Sequence, residues 1–422
     1  MLELDDTSNM SRITVITAGH LSTCPRMLKA AESLDAAGHE VRVVSTNFVD
    51  WGSSADVALR SRLNMQWRVV DYSRSTGNWL RIRAGVRYLA CRNLCRAFGP
   101  EPQPASLLGR ATTRVLSELV EAAAETPADL VYGGGGALIA TALAAKRMKV
   151  PYAVDLEDFH GAEHSAADAE GAFCNRLAQA AEKIVFRDAA ILTTASDAIA
   201  DSYVRAYGKR PLVIHNTFPL PAHEPEFTPV DGAGLRLYWF SQTIGAGRGL
   251  EDAILAAGMA DINCELHLRG KPSGGYLDRL SSMAKERAPR LRLVHHAPQP
   301  PDRMVDLCRD YHVGLALEIL DPPNRAICLT NKAFTYILAG LAVVFTDTPG
   351  QRGLAEDLGS GAFLYSPGDI DALAQVLRLW ATRPTELLAA RRAAWAAACR
   401  RWHWHHPEEE GALLRAVQGV LR

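Results

Sequence analysis

Between Arg12 and Asn216 the apolar positions fall into short continuous runs, separated by stretches where they recur every three or four residues. "RITVITA" is followed by "PRMLKAAESLDAAG" and then "EVRVVST", which reads as strand, helix closed by Gly38, and strand. The runs "QWRVVDY", "DLVYGG", "YAVDLED", "AILTTAS" and "PLVIHN" continue the series, giving about seven strands with helical periodicity between most of them. The next segment, "TFPLPAHEPEFTPVDGAG", is rich in Pro and Gly and carries neither periodicity, which marks a linker. After it "LRLYWF", "CELHLRG", "LRLVHH", "VGLALE", "AVVFTD" and "AFLYS" give about six more strands, each followed by a helix-like stretch.

Apolar runs that alternate with helical stretches are the signature of a parallel sheet covered on both faces. The pattern therefore predicts an α/β chain with two Rossmann-like, doubly wound domains, residues 1–217 and 235–395. Residues 218–234 are the expected linker, and 396–422 an expected C-terminal helix packing back across the domain junction. In such sheets ligands bind beyond the carboxyl ends of the strands, so two facing domains are expected to make a cleft lined by strand-to-helix loops.

Composition narrows the partners. Across 422 residues, 46 Lys and Arg balance 47 Asp and Glu, so no global charge favours nucleic acid, and any electrostatic function is local. The eight cysteines form no CxxC pair and no metal-ligand spacing, which suits a reducing cytoplasm. "MLELDDTSNMSRITVITAG" has acids where a signal peptide carries bases, and no run of about 18 apolar residues follows. The expected location is cytoplasmic, peripheral on the inner face of a membrane if the basic stretch described below rests on it.

Candidate chemistry sits in the loops. "SQTIGAGRGLEDAI" places Gly245, Gly247 and Gly249 where backbone can approach a ligand, with Arg248 just before the helix, an arrangement that fits a phosphate. "LRGKPSGGY" adds Arg269, Gly270 and Lys271 at the next strand end. In "CLTNKAFTYILAGLAVVFTDTPG", Asn331 and Lys332 open an apolar helix that runs through Leu338 and stops at Gly340. A lysine near the positive end of a helix dipole is disfavoured unless an anion binds there too, and with Arg325 it can hold a diphosphate.

These residues carry a resemblance. "LTNKAFTYILAGLAVVFTDTP" resembles the PNK-x-FEY-x-x-AG-x-PVV signature of the family 4 glycosyltransferases, retaining nucleotide-sugar enzymes of the GT-B fold. "SQTIGAGRGLEDAI", "VIHNTFP" and "AAGHEVRVVS" resemble that family at matching places. The resemblance implies an N-terminal acceptor domain and a C-terminal donor domain. It implies transfer of a hexosyl-type sugar from a nucleoside diphosphate donor to a hydroxyl acceptor, a glycan or lipid-linked glycan, in polysaccharide, glycolipid or glycoconjugate biosynthesis. No metal or other cofactor is implied. The family's two glutamates are replaced by Ile327 and Thr335, and its loop arginine aligns near Thr243. Glu318, a few residues earlier, is the candidate for a displaced hydroxyl-binding carboxylate.

On the acceptor side, Gly19 permits close approach while His20 and Arg26 are candidates to face the cleft. Gly133 to Gly136, with Gly134 among them, read either as a bare cleft wall or as a flexible turn. "YAVDLEDFHGAEHS" concentrates charge after a strand, which is costly unless solvated or used. It resembles the family's YD-x-H-D segment, with Glu157 where the histidine is expected and His160 the nearest imidazole. Asp158 and His160, together with Arg248 and Lys332, are the candidate catalytic residues. Residues 74–98 hold Arg74, Arg81, Arg83, Arg87, Arg92 and Arg96 without one acid. They read as an amphipathic helix resting on anionic lipid or a lipid-diphosphate, or as a solvated helix packed on its own domain. The competing functions are a nucleotide-sugar epimerase of the same fold and a catalytically silent nucleotide-sugar-binding subunit. A dehydrogenase is disfavoured, since "TAGHLST" lacks GxGxxG.

Overall fold

The protein is described from a computed structural model covering residues 10–74, 79–227, 229–230 and 234–422. The acidic start of the chain, residues 75–78 of the basic stretch and part of the expected linker lie outside the described residues. Chain contacts divide the molecule into one unit of Met1–Ile214 with Glu410–Arg422, and a second of His215–Glu409.

In the first unit, β1 (Arg12–Thr17), α1 (Pro25–Ala36), β2 (Glu40–Asn47), α2 (Asp50–Arg62) and β3 (Gln66–Asp71) follow one another in chain order. Three helices come next, α3 (Trp79–Phe98), α4 (Ala105–Thr112) and α5 (Leu116–Ala123). The alternation then resumes with β4 (Leu130–Gly134), α6 (Leu138–Met148), β5 (Tyr152–Asp155), α7 (Ala169–Asp188), β6 (Ile191–Thr194), α8 (Asp197–Tyr207) and β7 (Leu212–Val213). All pairings are parallel and the order is β3-β2-β1-β4-β5-β6-β7. The central strands are buried along their length apart from Arg12 at the start of β1, as strands covered on both faces must be.

The second unit runs β8 (Leu235–Ile244), α9 (Leu250–Ala260), β9 (Cys264–Pro272), α10 (Tyr276–Arg287), β10 (Leu291–His296), α11 (Met304–Cys308) and β11 (Val313–Ala316). It continues with α12 (Pro323–Ile327), α13 (Asn331–Leu338), β12 (Ala342–Thr346), α14 (Pro349–Leu358), β13 (Ala362–Tyr365), α15 (Ile370–Thr382) and α16 (Pro384–Arg400). Its parallel sheet has the order β10-β9-β8-β11-β12-β13. Side chains alternate across it: Leu235, Leu237 and Trp239 of β8 join one core cluster, Tyr238 and Phe240 the other. The two doubly wound parallel sheets that the apolar runs predict are thus present, with seven and six strands.

The segment after His215 packs on the second unit. A Cβ at Gly340 would lie 2.4 Å from Pro225, and Arg391 and Arg392 lie over the Phe227 ring. The C-terminal segment is not one helix from 396 onward. Residues 396–400 end α16, and α17 (Glu410–Leu421) begins after Pro407 and packs on α1, where Ser33 Oγ lies 2.6 Å from Glu410. Trp402 and Trp404 between them stay in the second unit: Trp402 Nε1 donates to Asp357 at 2.7 Å, and the Trp404 N–H donates to Phe218.

Candidate active site

In the second unit, the packing of α13 on β11 sets the geometry. Gly314 sits in β11 where a Cβ would be 2.2 Å from the Tyr336 ring, so only glycine lets the helix lie this close. Lys332, one turn before Tyr336, is thereby brought to Glu318 just beyond the strand end. Lys332 Nζ is 3.2 Å from one Glu318 oxygen and Arg325 Nη1 is 3.2 Å from the other, with the Glu318 side chain wholly buried. The Glu318 N–H donates to Thr346 Oγ1 at 3.1 Å, pinning the loop.

Arg248 completes the cluster from the α9 side. Gly247 and Gly249 take left-handed backbone (φ 73° and 68°), and Cβ atoms there would meet Ile319 and Leu317 at 3.2 and 3.0 Å. The turn therefore lies against the chain leaving β11. Burial lowers the Arg248 pKa, Arg325 lowers it further and Glu318 opposes both. Lys332 behaves alike: burial lowers its pKa, Glu318 raises it, and Arg248 and Arg325 depress it. Three cations thus surround one carboxylate at the start of α13, where N–H groups lack intrahelical acceptors. Arg248 makes no ion pair or hydrogen bond among the described residues.

Several expectations change here. Glu318 has both oxygens engaged by cations, so it organises Lys332 and Arg325 instead of reaching out to a hydroxyl. Thr335 is fully buried and its hydroxyl donates to the Asn331 carbonyl at 2.9 Å, one turn back within the helix. It does not face open space. Thr330 stands at the N-cap position of α13 without a capping hydrogen bond from its side chain, and Asn331 is the first residue of the helix. Gly270 and Lys271 lie at the end of β9, which runs on to Pro272, as the sequence places them. Gly270 is required by the β8 bulge, since a Cβ would strike the Ser241 carbonyl at 2.3 Å. Gly245 leads from β8 into the α9 turn, with Ser273 Oγ 3.0 Å from its Cβ position. Arg269 is buried, donating to Tyr238 Oη at 2.7 Å.

In the first unit, Arg26 is not an open-facing residue. Its Nε and Nη2 grip Asp155 at 2.8 and 2.6 Å, its Nη1 donates to the Ile214 carbonyl, and both side chains are buried. It ties α1 to β5. His20 is likewise buried: Nδ1 is 3.0 Å from Asp56, while Nε2 lies 3.4 Å from the Val49 N–H. An Nε2 that faces donors is the acceptor, so Nδ1 carries the proton. The carbonyl of Gly19 accepts from the Thr46 N–H at 3.2 Å. Gly133 and Gly134 are demanded by packing, since Cβ atoms would meet Thr141 and Met27 at 1.7 and 2.5 Å; Gly135 and Gly136 take positive φ.

The loop after β5 keeps its charge concentrated. Glu157 has φ 51°, a left-handed conformation uncommon for a residue with a side chain. Its carbonyl accepts from the Ala195 N–H and Thr194 hydroxyl, both at 3.2 Å, which holds the strained turn. Burial pushes the Glu157 carboxyl up to about 7, with Asp158 adding to the shift. His160 opens a short turn, with Nδ1 against Glu163. Burial favours its neutral form, but the Glu163 hydrogen bond and the charges of Glu163, Glu182 and Asp158 lift it to about 9. The Asp158 carbonyl accepts from Tyr203 Oη at 2.8 Å. This arrangement supplies a cationic imidazolium beside a carboxyl that titrates near neutrality.

Comparison with known proteins now bears on this geometry. Residues 25–217 match the family model described as a glycosyl transferase 4-like domain. HepE of Anabaena, in complex with UDP and glucose, is similar over 97% of this chain and 99% of its own, with a TM-score of 0.65 and 17% identity. A variant of S. aureus TarM, solved with fondaparinux, alpha-GlcNAc-glycerol and UDP, covers 98% and 100% with a TM-score of 0.64 and 9% identity. Sucrose-phosphate synthase from Thermosynechococcus elongatus covers 97% and 98% with a TM-score of 0.60 and 13% identity. Such identities establish the fold alone. No curated protein matches the chain by sequence. The chain has the GT-B fold of these glycosyltransferases. Its N-terminal half carries the glycosyl transferase 4-like domain, in keeping with the family 4 resemblance.

Proposed function

We propose that the protein transfers a hexosyl-type sugar, with retention, from a nucleoside diphosphate donor to a hydroxyl-bearing glycan or lipid-linked glycan. The observation that carries this reading is the cluster of Arg248, Arg325 and Lys332 around Glu318 at the start of α13, with Arg248 making no hydrogen bond or ion pair among the described residues. Three cations against one buried carboxylate leave a local excess of positive charge that a diphosphate neutralises by charge-assisted hydrogen bonds. Complexes of HepE and TarM with UDP support uridine as the donor nucleoside. Residues 1–217 take the acceptor and 235–395 the donor in this reading.

The bond from the anomeric carbon to the diphosphate oxygen breaks as the acceptor oxygen adds on the same face, and the departing diphosphate accepts the acceptor's proton. Arg248, Lys332 and the α13 amides hold the negative charge that develops on the diphosphate. His160, protonated at neutral pH, donates to a sugar hydroxyl, while Glu163 holds its Nδ1 and the charge of Asp158 favours the protonated form. No metal is needed for this, since fixed cations do the neutralising. The test is UDP binding and sugar transfer by the wild type and by Arg248→Ala and Lys332→Ala. Loss of both in the variants supports the assignment, and unchanged transfer in both refutes it. Isomerisation of donor without acceptor would instead identify an epimerase.

No helix among the described residues is long and apolar enough to cross a membrane. Helix α3 nevertheless exposes Trp79 (81%), Ile82, Val86, Leu89 and Phe98 (70%). Glu118 engages Arg83 and Arg87, and Glu170 engages Arg92 and Arg96, so much of its positive charge is already neutralised. The apolar side chains support peripheral membrane contact. Co-flotation with anionic vesicles, lost on Trp79→Ser with Phe98→Ser, tests it.

A further inference from the structure

The arginines around α3 sort into two groups. Those that meet Glu118 and Glu170 are accounted for by ion pairs within the fold. Arg74, Arg81 and Arg114 make no ion pair among the described residues, yet all three line a single cavity of about 670 Å³ in the first unit. Phe48, Tyr72 and Tyr88 supply its rings, and Asp50 is the acid in the lining. Three arginines against one aspartate leave the lining at a net charge of +2. Asp50 lies in the first turn of α2, where the helix dipole already offsets it.

The cavity is built, not incidental. Phe48 and Tyr72 stack at 5.6 Å with planes 15° apart, and the Arg114 guanidinium stands 5.7 Å over the Tyr88 ring. Arg114 packs against α3 at Gly85, its Cζ 3.9 Å from the position of a Cβ there, an ordinary contact. Among the described residues Arg81 makes one hydrogen bond, Nη1 to the Tyr72 carbonyl at 3.1 Å, and its guanidinium carries further N–H donors. Phe48 follows β2 and Tyr72 follows β3, so the cavity lies beyond the carboxyl ends of two strands, where doubly wound sheets bind ligands. The Phe48 and Val49 N–H groups point to His20, which places the Gly19–His20 loop alongside.

We propose that this cavity binds the acceptor through a phosphate or diphosphate ester, whose oxygens meet Arg74, Arg81 and Arg114 while the Phe48, Tyr72 and Tyr88 rings take the adjoining sugar or apolar chain. The acceptor class is therefore a phosphorylated one, and the phosphate can belong to a soluble sugar phosphate or to a lipid-borne diphosphate. The inference rests on the transferase reading, but its test does not need donor chemistry.

Inorganic pyrophosphate is titrated into the full chain by calorimetry, comparing wild type with Arg248→Gln, Arg74→Gln, Arg114→Gln and Arg114→Lys, each first shown to unfold cooperatively. The expected result is two binding events in the wild type. One is lost in Arg248→Gln; the other is weakened at least about tenfold in Arg74→Gln and Arg114→Gln and partly restored in Arg114→Lys. Wild-type affinity for both events in Arg74→Gln and Arg114→Gln overturns the proposal. Absence of only the Arg248-dependent event refutes the donor assignment and leaves the cavity standing. Glucose 1-phosphate and farnesyl diphosphate in detergent micelles then separate the sources, the tighter Arg114-dependent binder naming which one the rings accommodate.

Discussion

Lys332 Nζ and Glu318 Oε1 stand 3.2 Å apart with both side chains buried, and Arg325 holds the second oxygen of the same carboxylate. Glu318 is thus the counter-ion that makes a buried lysine at a helix start tolerable. Glu318→Gln removes it and leaves cations facing one another, which costs about 3 kcal/mol of stability in a buried setting. An anion restores the balance, so saturating UDP or pyrophosphate raises the thermal midpoint of the variant more than that of the wild type. Thermal unfolding with and without ligand decides this, and equal ligand shifts in the two proteins would show that the cluster does not receive an anion.

Arg248 has the opposite character. With no hydrogen bond or ion pair among the described residues, it contributes little to the fold, and Arg248→Ala changes stability by no more than about 0.5 kcal/mol. Transfer falls by roughly two to three orders of magnitude, the scale expected when one donor to a developing anion is lost. Urea unfolding and initial rates measured on the same preparation separate the two effects.

The fold was legible because strands buried on both faces must be written as apolar runs, and "AVVFTD" or "YAVDLED" has few other meanings. The ends of the strands were legible for a related reason, since glycines and charges interrupt those runs. Which charges are used was not legible. Arg26 and Asp155 stand 129 positions apart in the chain, and nothing local in either announces their pairing. Arg114 lies in "ATTRVL", outside any motif, and joins Arg81 only through the folding of the chain, in the lining of one cavity. Thr335 misled for another reason. A motif fixes a residue's place along a helix but not the face it presents, and here its hydroxyl turns back to Asn331.

That placement of Thr335 makes its own prediction. Thr335→Val keeps the shape and removes one hydroxyl whose partner is the carbonyl of the preceding turn. UDP affinity stays within about twofold and stability within about 1 kcal/mol, because an exchange of this kind leaves one carbonyl short of a bond that helix geometry already supplies. A large fall in UDP affinity by calorimetry would return Thr335 to the ribose.

Arg26 is predicted to act on stability. Arg26→Met strips the buried Asp155 carboxylate of its two charge-assisted bonds, a loss of about 3 to 5 kcal/mol. Adding Asp155→Asn recovers part of it, because the orphaned charge is then gone. Denaturant midpoints of the two single variants and the double variant test this; an Arg26→Met protein with wild-type stability and no activity would place the guanidinium at a ligand instead.

The loop after β5 predicts how stability follows pH. His160 is raised from 6.5 to about 9 in the folded protein, so the folded state holds its proton more tightly than the unfolded one. Its contribution is fully present below pH 6.5 and is lost as pH rises through about 9. Glu157 is raised from 4.5 to about 7, so its contribution is present below pH 4.5 and is lost as pH rises through about 7. The wild type therefore loses stability across both windows. Glu157→Gln flattens the lower one and His160→Gln the upper one, each leaving the other in place. Thermal midpoints of the three proteins from about pH 4 to pH 10 give the comparison. A wild-type profile that stays flat between pH 7 and 9 would mean that His160 is neutral in the fold, and a neutral imidazole does not donate from both nitrogens to a sugar and to Glu163 at once.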